Sequence, residues 1–517
     1  MPHVSPPSIR PRKSPLGERV VFLALLSACV WLLLAGGVEV AVDGTRVFSC
    51  HRLSRPVLAA LLLAGTRFAL SGAWRERVTS WVASQWHKLR EYHRSAGPAP
   101  WALVALMVGL PTITVYLLND RLPTGGDAVA IRQTAASLVL RHDLNIDEYV
   151  DPADPPYQAV WVSGHWYSAF PPAAGMVFLA PLVQIGNWIN PNFTEHSVVR
   201  LEKLTASLVA SGACVVFFLA LVRVVPPTEA WWLSILLGLG TGLWTTGSHL
   251  ISQHGPVCLL VSLVLWLELA GRSTGLGAAF AGACCGLAVV VRPTAAIWAA
   301  SYAGLVLFRR PRDLALFAAG ALVAAGPIVA CYWSIYGHPL GAYRSALSDG
   351  RWQGNLEEAL PANLVSPGRG LFIWTPPTVL ALGVLLPRGR GALPGRVVAA
   401  VAAWLLAHVL VVSRYSHWWA GHSYGPRFLI DVMPGAILLS APTFARFWQS
   451  RRPARWLLMS LVGWSVFTQI GGAFGRALDW VRDPVNVDRA PGRVWDLTDP
   501  PFLYDFLHRG PPPASSG

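Results

Sequence analysis

Apolar runs long enough to cross a bilayer recur along almost the whole of this 517-residue chain. In lipid a backbone has no water to bond, so each run must satisfy its own N–H and C=O groups, which makes these runs helices. Spans are expected near residues 20–42, 56–73, 100–118, 200–222, 230–250, 255–271, 274–292, 294–308, 314–335, 371–387, 396–413, 428–445 and 456–475, about thirteen in all. The pair on either side of Arg292 is short. Composition excludes a soluble fold: 53% of residues are hydrophobic, 13% are charged, and mean hydropathy is +0.45. The fold class is an all-α polytopic membrane bundle with extracytoplasmic loops and juxtamembrane helices.

Charge sets its orientation. With the N-terminus inside, the inner segments hold about 21 Lys and Arg in about 83 residues, against about 18 in about 189 outside, where about 19 acids accompany them. The clusters Arg309-Arg310-Pro311-Arg312, Arg388-Gly389-Arg390 and Arg451-Arg452 all fall inside. This predicts an integral membrane protein with the N-terminus cytoplasmic and the C-terminus extracytoplasmic. The net charge of +14 is spread over short inner loops facing anionic lipid and does not indicate nucleic acid. Residues 74–98 fit an interfacial helix, with Trp74, Val78, Trp81, Val82 and Trp86 toward lipid and Arg75, Lys88 and Arg90 toward water. A long basic, Pro-rich leader and a weak cleavage region argue against a cleaved signal peptide. Six of the seven cysteines lie in expected spans, and only Cys50 does not; there is no disulfide framework.

The chain divides into an N-terminal hairpin with its basic loop (1–99), a main transmembrane domain (100–476) and an outer tail (477–517). The first large outer loop, 119–199, is acidic through Asp120, Asp127, Asp143, Asp147, Glu148, Asp151 and Asp154. Within it, Ala128 to Arg141 has helical apolar spacing. The apolar segment 171–189 begins with Pro-Pro and reads as a half-inserted helix, since counting it as a span would reverse every later loop.

Five stretches carry a family resemblance. They are Asp127 after a membrane span, Tyr167-Ser168-Ala169-Phe170-Pro171-Pro172, Gly286-Leu287 to Arg292-Pro293-Thr294, Ser423-Tyr424-Gly425-Pro426-Arg427, and Val487-Asp488-Arg489 to Arg493-Val494-Trp495-Asp496. In this order and on these sides of the membrane they resemble bacterial GT-C glycosyltransferases, relatives of the protein O-mannosyltransferases and of the aminoarabinose transferases that modify lipid A. The likeness covers about residues 100–500. It implies inverting transfer of a sugar from a polyprenyl-phosphate donor to an envelope glycan, lipid or protein acceptor on the outer face, with Asp127 as general base. One position departs: many relatives carry a second acid immediately after the first, and here that residue is Ala128. The departure bears on a two-carboxylate metal site and on activity. No cofactor is assigned, and a divalent metal stays open.

Each candidate residue has a plainer reading beside the functional one. Asp127 could deprotonate an acceptor hydroxyl or simply cap the helix that starts at Ala128. Arg292, at the end of a span, suits a donor phosphate or snorkels. Arg427 and its neighbour Tyr424 are similar candidates for substrate contact, though Asp431 one helical turn later could simply pair with Arg427. His249 and His254 flank a short outer turn and could position a sugar or phosphate, or be polar residues at a helix end; a metal pair lacks a carboxylate nearby in sequence. His165 and Tyr167 could contact a sugar, or, with Trp166, anchor the interface. No phosphate-binding loop, dinucleotide turn or Ser/His/Asp motif is present. The competing functions are a multi-span transporter or flippase and a catalytically silent relative.

Overall fold

The computed structural model describes residues 16–508 apart from 36–37, 43–44, 51, 96, 120–121, 123–125, 345–349 and 387–388. Asp120, Thr124, Gly125, Arg388 and the last nine residues of the tail therefore lie outside the described residues. The chain is overwhelmingly helical, with two short antiparallel hairpins, Val38–Val42 with Thr45–Cys50 and Ala159–Val162 with His165–Ser168.

Helical turns lie within each expected span, although the first helix ends at Leu34 and Val38–Val42 is a strand, and the count of thirteen spans is not reproduced. Among the described residues six helices are long and apolar enough to cross a membrane: Trp101–Leu118, Glu195–Leu221, Asp313–Tyr336, Gly395–Ser413, Arg427–Ser450 and Arg452–Phe474. A seventh follows if Ser54–Leu70 and Gly72–Arg94, bent by 107°, form one broken span. The shortfall has local causes. Pro293 has no N–H and drives the residue before it out of helical geometry, so Arg292 is extended (φ −149°, ψ 107°) between Leu276–Val291 and Ala296–Arg309. Pro376 likewise drives Thr375 out of helical geometry (φ −134°, ψ 68°) and separates Leu371–Trp374 from the 3-10 helix Pro376–Leu385.

Two of the crossing helices form the centre. Glu195–Leu221 and Arg427–Ser450 are 83% and 94% buried over their most apolar windows, whereas Asp313–Tyr336 is only 6% buried and lies at the edge. That edge helix is held by close backbone approach. A Cβ on Gly282 or Gly286 would strike the backbone of Phe317 or Ala321, and one on Gly320 would strike Ala279. Small residues at such spacing give lipid-embedded helices their packing contact.

The helix Gly72–Arg94 keeps Arg75, Lys88 and Arg90 exposed, as expected of an interfacial helix. Its other face differs from the expectation. Val82 and Trp86 pack against the helical core, and the helix end is bolted down where Trp266 Nε1 donates to Tyr92 Oη at 2.9 Å. The helix Gly175–Ile189 is too short to span and packs on Ala128–Leu140, with Gly175 directly against the Ile131 carbonyl. The tail is more than a polar extension. Residues 480–504 fold back in 3-10 turns, and Trp480, Val494, Phe502 and Tyr504 form a second core with Trp374, Trp418, Trp419 and Tyr424.

Candidate functional site

Asp127 opens the helix Ala128–Leu140 from helical backbone angles (φ −58°, ψ −27°), and its side chain makes no capping bond. The plainer expectation for this residue therefore fails. Both carboxylate oxygens are held by other parts of the chain. The Tyr157 hydroxyl donates to Oδ1 at 3.0 Å, and Arg427 donates to Oδ2 at 3.1 Å. About a third of the Asp127 side chain stays open to solvent. Partial burial of the Tyr157 hydroxyl and the carboxylate beside it push that phenol above its ordinary value, so it stays protonated and donating.

The helix behind Asp127 is fixed from within. Arg132 donates to Glu202 Oε2 at 2.8 Å, both side chains buried. Glu202 Oε1 accepts from the Ile251 N–H at 3.2 Å, so one carboxylate ties this helix to the turn that carries Gln253 and His254. A buried pair of this kind adds little net stability but strongly penalises loss of either member. In front, Gly126 has φ +97°, a conformation open to glycine and strained for other residues, and its carbonyl accepts from Gln158 Nε2 at 3.3 Å.

Arg427 comes from the turn after Tyr424. Gly425 (φ +63°) lies so near the Trp374 ring that a Cβ would strike it. Tyr424 was expected to contact substrate, and the structure places it elsewhere. Its ring is buried edge-on to Trp374 at 4.9 Å and its hydroxyl donates to the Thr468 carbonyl at 2.6 Å. It anchors the turn and does not face Asp127.

The expected Arg427–Asp431 pair is also corrected. Asp431 is 2% exposed and pairs with Arg292, and its Oδ1 meets His254 Nδ1 at 2.8 Å. Arg292 further donates to Gln253 Oε1 at 3.0 Å. Helical spacing put Asp431 near Arg427 in sequence, but a 3-10 turn at Arg427–Val432 changes the angle between them. The two arginines nonetheless meet the same ring: their guanidinium carbons lie 5.8 and 5.6 Å from the Phe428 centroid. Asp127, Arg427, Phe428, Arg292, His254 and Asp431 therefore belong to one neighbourhood, drawn from residues 300 apart in the chain.

The other candidates have local partners. His165 Nδ1 meets Asp147 Oδ2 at 2.7 Å, and Tyr167 stands edge-on to Tyr336 at 6.0 Å. His249 Nε2 meets Asn119 Nδ2 at 3.0 Å. His249 and His254 thus have separate partners, and among the described residues no cluster of three or more His, Cys, Asp or Glu side chains could hold a metal ion. Asp127 is bonded by a phenol donor and a guanidinium, which orient the carboxylate, and the guanidinium's charge repels a cation. A hollow of about 390 Å³ elsewhere, lined by Leu26, Val30, Trp31, Ile185 and Ile189, is apolar and offers no acid, base or charge.

Tyr157 escapes a reading of the sequence, because it lies in no motif and is 30 residues from Asp127; Phe428 follows Arg427 directly, but its contact with the distant Arg292 leaves no sequence signal. Compared with known protein families, curated proteins and solved structures, the chain matches none.

Proposed function

We propose that this protein is a membrane glycosyltransferase of GT-C type. It transfers a sugar from a polyprenyl-phosphate donor to an envelope glycan, lipid or protein acceptor on the extracytoplasmic face. The observation that carries the reading is Asp127. An acid beyond the end of the span Trp101–Leu118 is held at both oxygens, remains partly open, and does not cap the helix it begins.

In this reading Asp127 takes the proton of the acceptor hydroxyl as that oxygen attacks the anomeric carbon. The new glycosidic C–O bond forms while the bond from the anomeric carbon to the phosphate oxygen breaks. The electron pair leaves on the polyprenyl phosphate, and the sugar is inverted. Arg427 donates one of its five N–H groups to Asp127, which leaves others for a phosphoryl oxygen. Arg292 already has Asp431 as counter-ion, so it supports the site's shape more than its charge. Among the described residues no group of three His, Cys, Asp or Glu side chains that could hold a metal ion includes Asp127.

The test is release of undecaprenyl phosphate by the purified full-length protein from a panel of undecaprenyl-phosphate-linked hexoses and pentoses, with Asp127→Asn beside it. The reading requires release by the parent protein and its loss in the variant. Absence of release across the whole panel, or equal release by both proteins, would overturn it.

A further inference from the structure

Two aromatic rings stand in solvent just after the loop that follows Asp127's helix. Tyr157 is 65% exposed and Trp161 56% exposed. Neither is loose. The Tyr157 hydroxyl is tied to Asp127, and its ring edge is braced by Phe170 at 6.1 Å. Trp161 stands edge-on to Trp166 at 5.1 Å, the residue directly opposite it in the hairpin. The strand length between the two rings limits their backbones to roughly 13 Å apart.

Exposed rings on a membrane protein are commonly interface anchors. The surroundings here oppose that. Asp143, Asp147, Glu148, Asp151 and Asp154 precede the pair in the same loop, and acids are repelled by anionic headgroups. The local chemistry is that of sugar recognition. A carboxylate offers about four lone-pair positions, and Tyr157 and Arg427 take one each, which leaves acceptors for incoming hydroxyls. A flat ring beside it presents a face to the C–H side of a sugar.

We propose that Tyr157 and Trp161 form a subsite for a short oligosaccharide, so that the acceptor is a glycan. The Tyr157 ring carries a sugar while its hydroxyl orients Asp127. The assignment rests on the transferase reading for the word acceptor, whereas oligosaccharide binding can be measured without turnover.

The experiment is saturation-transfer NMR on the full-length protein in nanodiscs, with short gluco-, galacto- and manno-oligosaccharides and a Ser/Thr-rich peptide as probes. At least one sugar series should bind. Tyr157→Ala and Trp161→Ala should each weaken it about three- to tenfold, the scale of an aromatic contact, while Tyr157→Phe, which keeps the ring, should lose less than Tyr157→Ala. The proposal fails if no oligosaccharide binds, if only the peptide binds, if both alanine variants bind normally, or if Tyr157→Phe loses as much as Tyr157→Ala. With 24 tryptophans in the chain, quenching by brominated phospholipid that falls measurably in Trp161→Phe relative to the parent would make the pair a membrane anchor instead. Sugar binding without release of undecaprenyl phosphate would retain the subsite and sink the transferase. Release without sugar binding would do the reverse.

Discussion

At the residue scale, Asp127 separates chemistry from architecture. Asn keeps the size of Asp, no cap is lost because the Asp127 side chain makes none, and the ion pair it would break is partly exposed, worth about 0–1 kcal/mol. Asp127→Asn is therefore expected to leave the melting temperature nearly unchanged while lowering transfer by about 10²–10⁴, the usual contribution of a general base. Parent-like transfer by this variant would remove Asp127 from the mechanism. Arg292 should behave in the opposite way. Its partner Asp431 is buried, and removing one member of a buried pair costs about 3–5 kcal/mol. Arg292→Met is expected to lower thermal stability sharply, whereas Arg292→Lys, which keeps the charge without the fork, should fall between. Equal melting temperatures for Arg292→Met and the parent would show that Asp431 is compensated elsewhere. The acid and both arginines were legible as candidates in the sequence, but their pairing was not, because Asp127 and Arg427 are brought together across 300 residues.

At the element scale, the hairpin Ala159–Val162 with His165–Ser168 depends on one carboxylate. Asp147 accepts from the Trp166 N–H at 2.6 Å and meets His165 at 2.7 Å. Burial works against its charge, but the His165 and Trp166 bonds, with Arg141 nearby, outweigh it and hold the carboxyl below its ordinary value. A carboxyl lowered in the folded state contributes stability above its unfolded pKa, about 3.9 for Asp, and loses it as pH falls through the lower folded value. Protection of the Trp166 amide from hydrogen exchange, corrected for intrinsic rates, should be full above about pH 5 and decline below pH 4. Asp147→Asn should be poorly protected at every pH. Protection that stays constant to pH 2 would show that the hairpin is held by something other than this carboxylate.

At the scale of the whole molecule, sidedness decides whether any of this chemistry can occur. The asymmetry of Lys and Arg between loops predicts that reporter fusions at residues 85 and 392 read cytoplasmic. Fusions at 150, 355 and 500 should read extracytoplasmic. A cytoplasmic signal at 150 would put Asp127 on the side without lipid-linked donors and remove the transferase reading. The folded tail lies on the same side as Asp127, since Trp480 and Phe502 share a core with Trp374 and Tyr424, and Tyr424 anchors the turn from which Arg427 reaches Asp127.

Helix along the apolar runs, the short apolar helix at Gly175–Ile189 and the acid after Trp101–Leu118 were all determined by sequence alone, because hydropathy, proline and backbone satisfaction act over neighbouring residues. How many of those runs are long enough to span was not, since Pro293, Pro376 and the bend after Leu70 divide helices in ways hydropathy averages over. Only the tertiary structure decided that Asp431 belongs to Arg292 and His254, that Tyr424 faces a second core, and that Tyr157 holds Asp127. Those choices depend on which helix ends meet in space, and ion pairs and hydrogen bonds reach only a few ångströms whatever the distance along the chain.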